Sequence, residues 1–298
     1  MFLVSMRERL NRSSLSTARP ETESPRCYVP AMISLAVTDL RVDVSAEYGG
    51  RLLQVFMGEN ELLVARDHPA VTDPVMGWGC FPMVPWAGRL RKGTFPRRGR
   101  YVELPHDRMA FDGKHALHGL GVLNAWKVVA QSASSMVMRL DLAEAGWPFG
   151  GWAEQRISLS PTSVQLEMSV HSEKDEFPVQ IGWHPWFVAP ESLDVAFTSM
   201  YVRDAEGVAT AETTTPSAGP WDDCFTGALH PPRLRVNGVN IGLTSDCSHW
   251  VVFDELAHGV CVEPQSGPPD MLNLYPAAEL DTVAPGRTVV RHFTMSFG

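Results

Sequence analysis

Four short segments set an ionisable side chain among aromatics, glycine and proline, where a solvated loop would be uniformly polar. They are Pro85-Trp86-Ala87-Gly88-Arg89, His115-Ala116-Leu117-His118-Gly119, Ile181-Gly182-Trp183-His184-Pro185-Trp186-Phe187 and Val260-Cys261-Val262-Glu263-Pro264-Gln265. Glu263 closes the apolar run that begins at Gly259 and stands before Pro264, so its carboxylate sits where a strand ends and a loop begins. Partial burial there lifts a carboxyl toward neutral pH and makes it a usable general base; the plainer alternative is an edge-strand salt bridge. His184, wedged between Trp183 and Pro185-Trp186-Phe187, is the natural acid near neutral pH. Its alternative, shared by His118, is a core histidine bonded to a carbonyl. Arg89 offers a fork of donors to hydroxyls or a carboxylate, or else an ordinary surface ion pair. Asp222 and Asp223, inside Trp221-Asp222-Asp223-Cys224-Phe225, accept hydrogen bonds from hydroxyls or cap a turn.

Other chemistries fit less well. His118, His184 and Glu263 are far apart in sequence and form no HxH, HxxxH or HExxH pairing, so no metal is expected. Neither GxSxG nor GxxxxGK[ST] occurs, which leaves out the serine-nucleophile elbow and the phosphate loop. A formal net charge of -9 and a pI near 5.6 oppose a nucleic-acid or anionic-membrane partner, because both attract clustered cations. No apolar run reaches the roughly 18 residues of a membrane-spanning helix. A neutral small molecule is the easier partner. Five cysteines without CxxC spacing fit reduced thiols in a cytoplasmic protein.

The elements that must position these residues read as strands. Ile33, Leu35 and Val37, then Met136, Met138, Leu140 and Leu142, then Val164, Leu166, Met168 and Val170, and finally Phe293, Met295 and Phe297 recur at every second position, mostly with polar residues between them, which is the period of a half-buried strand. Gly49-Gly50, Pro231-Pro232 and Asn237-Gly238 break the segments, and helical periodicity is close to absent. The 24 glycines and 23 prolines suit a large antiparallel all-β sandwich. Residues 1–31, rich in Arg and Ser, read as a disordered tail, and 32–298 as one domain. The polar stretch Ala211 to Pro220 is a surface loop rather than a linker.

Taken in order, the segments resemble the aldose 1-epimerase (galactose mutarotase) family: Ala87-Gly88-Arg89, Leu117-His118-Gly119, Gly182-Trp183-His184-Pro185-Trp186-Phe187, Asp222-Asp223-Cys224-Phe225, and the long run Glu263-Pro264-Gln265-Ser266-Gly267-Pro268-Pro269-Asp270-Met271-Leu272-Asn273. The resemblance covers about Met32 to Gly298. It implies a galactose mutarotase-like β-supersandwich, no metal or cofactor, and exchange of α and β anomers of a free hexose; the expected assembly is a monomer or homodimer. It implies Glu263 as base at the C1 hydroxyl and His184 as acid at the ring oxygen, on opposite sides of one acetal carbon. Arg89, His118 and Asp222 would hold hydroxyls, with Trp86, Trp183 and Trp186 free to stack on the sugar. Gly88 stands where many members have Asn and Trp186 where Tyr is common, and Asp222 keeps the spacing to Phe225 that Asp223 does not. Two rivals remain. A hexose-6-phosphate 1-epimerase would grip phosphate with Arg97, Arg98 and Arg100 beside Lys92, and a non-catalytic carbohydrate-binding module would use the same fold without chemistry.

Overall fold

In the computed structural model, which describes residues 32–105 and 110–298, the period-two segments become strands with one buried face. Met136, Met138 and Leu140 are buried along Ser135–Asp141, and Val164, Leu166, Met168 and Val170 along Ser163–His171. Leu142 continues the alternation in sequence but opens a four-residue helix, Leu142–Ala145, because the Asp141 side chain accepts the Glu144 N–H and caps it. The tail expected over 1–31 lies outside the described residues.

Two large antiparallel sheets face each other. Among the described residues the first has eleven strands; its centre runs Cys80–Met83, Gly182–Val188, Gly259–Gln265, His249–Phe253, Asp222–Ala228 and Phe197–Arg203, each bonded to the next. The second has eight and is centred on Trp152–Ser160, Ser163–His171 and Thr288–Phe297. The main core fills the space between them. Trp183 points into that core: its ring centroid is 5.9 Å from that of Phe293 and its indole N–H donates to Gln155 Oε1 at 2.9 Å. Both partners lie on the second sheet.

Side chains alternate across a strand, so the neighbours of Trp183 emerge on the outer face. Register does the rest. His184 pairs with Phe81, Trp186 with Cys261, Gln265 with Gly182, Glu263 with Val251, Val251 with Cys224, and Phe253 with Asp222. Directly paired residues share a face, which gathers the ionisable side chains of three strands over one patch of the first sheet.

A loop closes over this patch. His118 and Gly119 are consecutive left-handed residues, at φ 55° and 78°. The His118 N–H donates to Gly88 O at 3.0 Å, and Leu120 and Gly121 both donate to Val84 O. A Cβ on Gly119 would lie 2.2 Å from Val84 O, a backbone atom that cannot step aside. Gly119→Ala is therefore expected to lose about 3 kcal/mol of stability through strain and clash, read as a fall in melting temperature of roughly 5–10 °C. A change of under a degree would show that the loop has slack.

Candidate active site

Glu263 and His184 meet at the floor of a cavity of about 200 Å³. His184 Nε2 lies 3.2 Å from Glu263 Oε1, and the two residues are 7% and 2% exposed. The imidazole is sandwiched between Phe81, 4.6 Å away at 25°, and Trp186, 5.7 Å away at 22°, so its plane is fixed by stacking. The other carboxylate oxygen of Glu263 accepts Gln265 Nε2–H at 3.0 Å. Acid and base thus stand side by side. The mechanism implied by the resemblance puts them about one acetal carbon of the sugar, and the register of adjacent strands sets their tips in contact.

Burial acts on the pair in one direction: it disfavours charge. It pushes the Glu263 carboxyl well above the ordinary glutamate range and the His184 imidazolium well below the ordinary histidine range. Each shift favours the uncharged form, a carboxylic acid beside a neutral imidazole with one proton between two basic atoms.

His118 stands edge-on to His184, with centroids 4.8 Å apart and planes at 87°. Burial, with Arg89 adding to it, pushes His118 down to about 3, so it too is neutral near pH 7. Its left-handed backbone is the kind of local strain found at functional sites.

Arg89 and Asp222 meet at the same cavity. Asp222 Oδ2 accepts from Arg203 Nη1 at 2.9 Å and stands 3.6 Å from Arg89 Nη1; Arg89 Nε donates to Asp112 Oδ2 at 2.9 Å. All five residues expected at the site line the one cavity. Asp222 lies on the face that carries Glu263; Asp223, one residue along, also borders the cavity and is held by Arg203 Nε at 2.9 Å. Arg203 had no signal in the sequence: it is a lone arginine at the end of an ordinary strand, and only its register makes it the clasp of both aspartates.

The long run after Glu263 divides into chemistry and scaffold. Asp270, 2% exposed, receives the Arg91 N–H on Oδ1 at 2.9 Å and gives its own N–H to Arg89 O at 2.7 Å; Asn273 Nδ2 bridges Asp270 Oδ1 and Thr94 O. These bonds lace the segment that presents Arg89. A Cβ on Gly88 would come within 2.8 Å of Pro269, which accounts for glycine at that position. Of the three tryptophans expected to stack on a ligand, Trp186 alone lines the cavity. Trp183 is in the core, as above, and Trp86 is buried there with its ring 6.2 Å from Trp147. The arginine cluster is also elsewhere: Arg97 lies 4.7 Å over the Phe149 ring, Arg98 pairs with Glu176 at 3.6 Å, and the hollow they line with Arg100 shares no residue with the site.

Ligand-type atoms of His118, His184 and Glu263 lie within 4.8 Å of one another. Imidazoles that bind metals donate their second ring nitrogen to a carboxylate, carbonyl or water. Here His184 Nδ1 has no hydrogen-bond partner among the described residues, and His118 Nδ1 lies 2.9 Å from the Met83 sulfur. No protein group among the described residues supplies the outer shell of a metal centre, and the trio fits proton transfer better.

A curated relative, the uncharacterised protein YphB of Escherichia coli (strain K12), is 27% identical over 177 residues; the match covers 58% of this chain and 58% of that relative's length. A crystal structure from E. coli K12, provisionally named an aldose 1-epimerase, superposes with a TM-score of 0.75 at 22% identity, covering 90% of this chain and 99% of that one. A GalM/aldose epimerase homologue from C. elegans gives 0.74 at 14% identity, covering 91% and 99%. The galactose 1-epimerase of Lactobacillus acidophilus NCFM gives 0.72 at 16%, covering 90% and 94%. At these identities the superpositions show a shared galactose mutarotase-like fold. The family profile described as aldose 1-epimerase matches residues 33–277, and with nearly the whole described chain inside that match, the protein belongs to the aldose 1-epimerase family.

Proposed function

We propose that the protein is a mutarotase that interconverts the α and β anomers of a free hexose, with Glu263 and His184 as its acid–base pair. The observation that carries this reading is the 3.2 Å contact between a buried carboxyl and a buried imidazole at the floor of a small cavity. The two oxygens that must exchange protons in a pyranose, the anomeric hydroxyl and the ring oxygen, are bonded to the same carbon. An acid and a base standing side by side match them.

The step runs as follows. The proton of the pair passes from Glu263 to His184 Nε2 across their contact, leaving a carboxylate and an imidazolium. Glu263 takes the proton of the anomeric hydroxyl, the C1–O1 bond becomes a carbonyl, the C1 to ring-oxygen bond breaks, and His184 gives its proton to the released oxygen. Rotation about C1–C2 presents the other face of the aldehyde, and closure runs the transfers backward. Positioned proton donors and acceptors of this kind each contribute about 10²- to 10⁴-fold. His118, Arg89 and Asp222 hold the remaining hydroxyls, and Trp186 offers an apolar face to the ring.

Charge supports an unphosphorylated substrate. The guanidiniums of Arg89 and Arg203 are already matched by Asp112, Asp222 and Asp223, and a phosphate would meet those carboxylates. The cavity, at about 200 Å³, is below the roughly 300–1,000 Å³ of pockets for drug-sized ligands, which suits a single ring. The test is polarimetry of freshly dissolved α-glucose, α-galactose and glucose 6-phosphate. Acceleration of a free hexose with little effect on the phosphate is expected; the reverse order would make the protein a sugar-phosphate epimerase. Activity should also be flat across neutral pH. It falls on the acid side when the pair takes a second proton, well below the ordinary histidine range, and on the alkaline side when Glu263 gives up its raised proton. A sharp rise between pH 6 and 7 would mean that an ordinary exposed histidine is in control.

A further inference from the structure

Gln265 is a buried amide that the proton transfers do not use. It is 0% exposed and lines the cavity. Its register sets it between Gly182 and His249 on the neighbouring strands, two residues along the same face from Glu263. Nε2 donates to Glu263 Oε2 at 3.0 Å, while Oε1, fully buried, has no hydrogen-bond partner among the described residues. Buried acceptors in native proteins are nearly all satisfied, and leaving one empty costs about 1–3 kcal/mol. An unpartnered acceptor on a residue that lines a ligand cavity is a place for a donor that arrives with the ligand.

Amide chemistry narrows what that donor is. When Glu263 is a carboxylate, only Nε2 can face it, and the free end of the amide is an acceptor. When Glu263 carries a proton on Oε2, Oε1 can face it instead, and the free end becomes an N–H donor. A hydroxyl donates and accepts, so it satisfies the amide in both states. A methylene satisfies neither, and an ether or ester oxygen satisfies only one.

We propose that Gln265 couples Glu263 to a sugar hydroxyl, the one on the carbon next to the anomeric centre, by donating to the carboxyl through Nε2 and accepting from the hydroxyl through Oε1. The position follows from adjacency: Gln265 flanks the carboxyl that serves C1, and the nearest hydroxyl to O1 is on C2. The proposal rests on the mutarotase reading of the site. Gln265 touches the substrate through one end of its amide and positions Glu263 through the other. Other titratable or charged groups also face Glu263: His184, His118, Arg89, Asp222 and the thiols of Cys80, Cys224 and Cys261. Gln265 differs from these in being neutral and able to donate at one end while accepting at the other.

The test compares glucose with 2-deoxyglucose, each normalised to its own spontaneous rate, in the wild type and in Gln265→Met, which keeps the length and loses both polar ends. The wild type is expected to favour glucose by about 5- to 100-fold in kcat/KM, the equivalent of one unsatisfied buried group. Gln265→Met should lower the glucose value to the level of the deoxy sugar and erase the preference. Its alkaline limb should move to higher pH, because the carboxylate has lost a donor that favours ionisation; loss of shape alone would not move that limb. If Gln265→Met does not fold, Gln265→Glu serves: it keeps an acceptor toward the cavity, so the preference should survive while the alkaline limb still rises. A preference for glucose undiminished in Gln265→Met, or a limb that stays in place, would overturn the coupling alone. A wild-type protein that accelerates neither sugar would overturn the mutarotase reading and the coupling with it.

Discussion

Replacing Glu263 by glutamine is expected to abolish anomer exchange and, at neutral pH, to stabilise the fold. The loss in rate should be at least about 10³-fold, since the variant cannot accept the anomeric proton and a catalytic base supplies about 10²- to 10⁴-fold. The gain in stability follows from linkage. Burial raises the carboxyl of Glu263 well above its ordinary range, whereas in the unfolded chain it titrates near the ordinary value of about 4.3. Folding therefore takes up a proton at every pH between those two values, and stability falls as the pH rises through that window. Glutamine has nothing to titrate, so the variant escapes the penalty. The expected gain at pH 7 is about 1–2 kcal/mol, in the range seen when a functional site gives up a strained group, and it should vanish as the pH approaches 4. Thermal melts of both proteins at pH 7 and pH 4 decide this. A variant less stable than the wild type at pH 7 would mean that the Glu263 carboxylate is already well paired in the fold.

His184→Asn has an effect of similar size on rate and the opposite sign on stability. Without the imidazole the ring oxygen leaves unprotonated, and a fall of about 10²- to 10⁴-fold in kcat is expected, with little change in KM. The stack between Phe81 and Trp186 loses its middle ring, so the melting temperature should drop. Because acid and base share one proton, the double variant with Glu263→Gln should be no slower than the worse of the two singles. Multiplying losses would show that the two residues work independently.

Much of the fold was legible because burial on one face of a strand forces alternation. Met136 to Leu140, Val164 to Val170 and Phe293 to Phe297 carry that pattern and all form strands of the second sheet. The first sheet was harder to read. Gly182–Val188 and Gly259–Gln265 are buried nearly throughout, with core on one face and the cavity wall on the other, so polar and apolar residues do not alternate cleanly. That is also why Trp183 was expected beside its neighbours at the site: the run Gly182-Trp183-His184-Pro185-Trp186 places every second residue on each face, and aromatic content alone does not say which. The pairing of Glu263 with His184 was legible in residue type and motif, but their contact is a matter of register. The clasp of Asp222 and Asp223 by Arg203, and the lacing of Arg89 by Asp270, join segments remote in sequence through single bonds. Such bonds leave no period and no local composition to read.

The most direct measurement is magnetisation transfer between the α and β anomeric protons of galactose and glucose at equilibrium, with catalytic amounts of the wild-type protein at neutral pH. Saturating one anomer should deplete the signal of the other for at least one of the two sugars, and the transfer should disappear in Glu263→Gln. Sugar binding, seen as line broadening or chemical-shift change, without any transfer between anomers would contradict the account and leave a carbohydrate-binding protein on an epimerase fold.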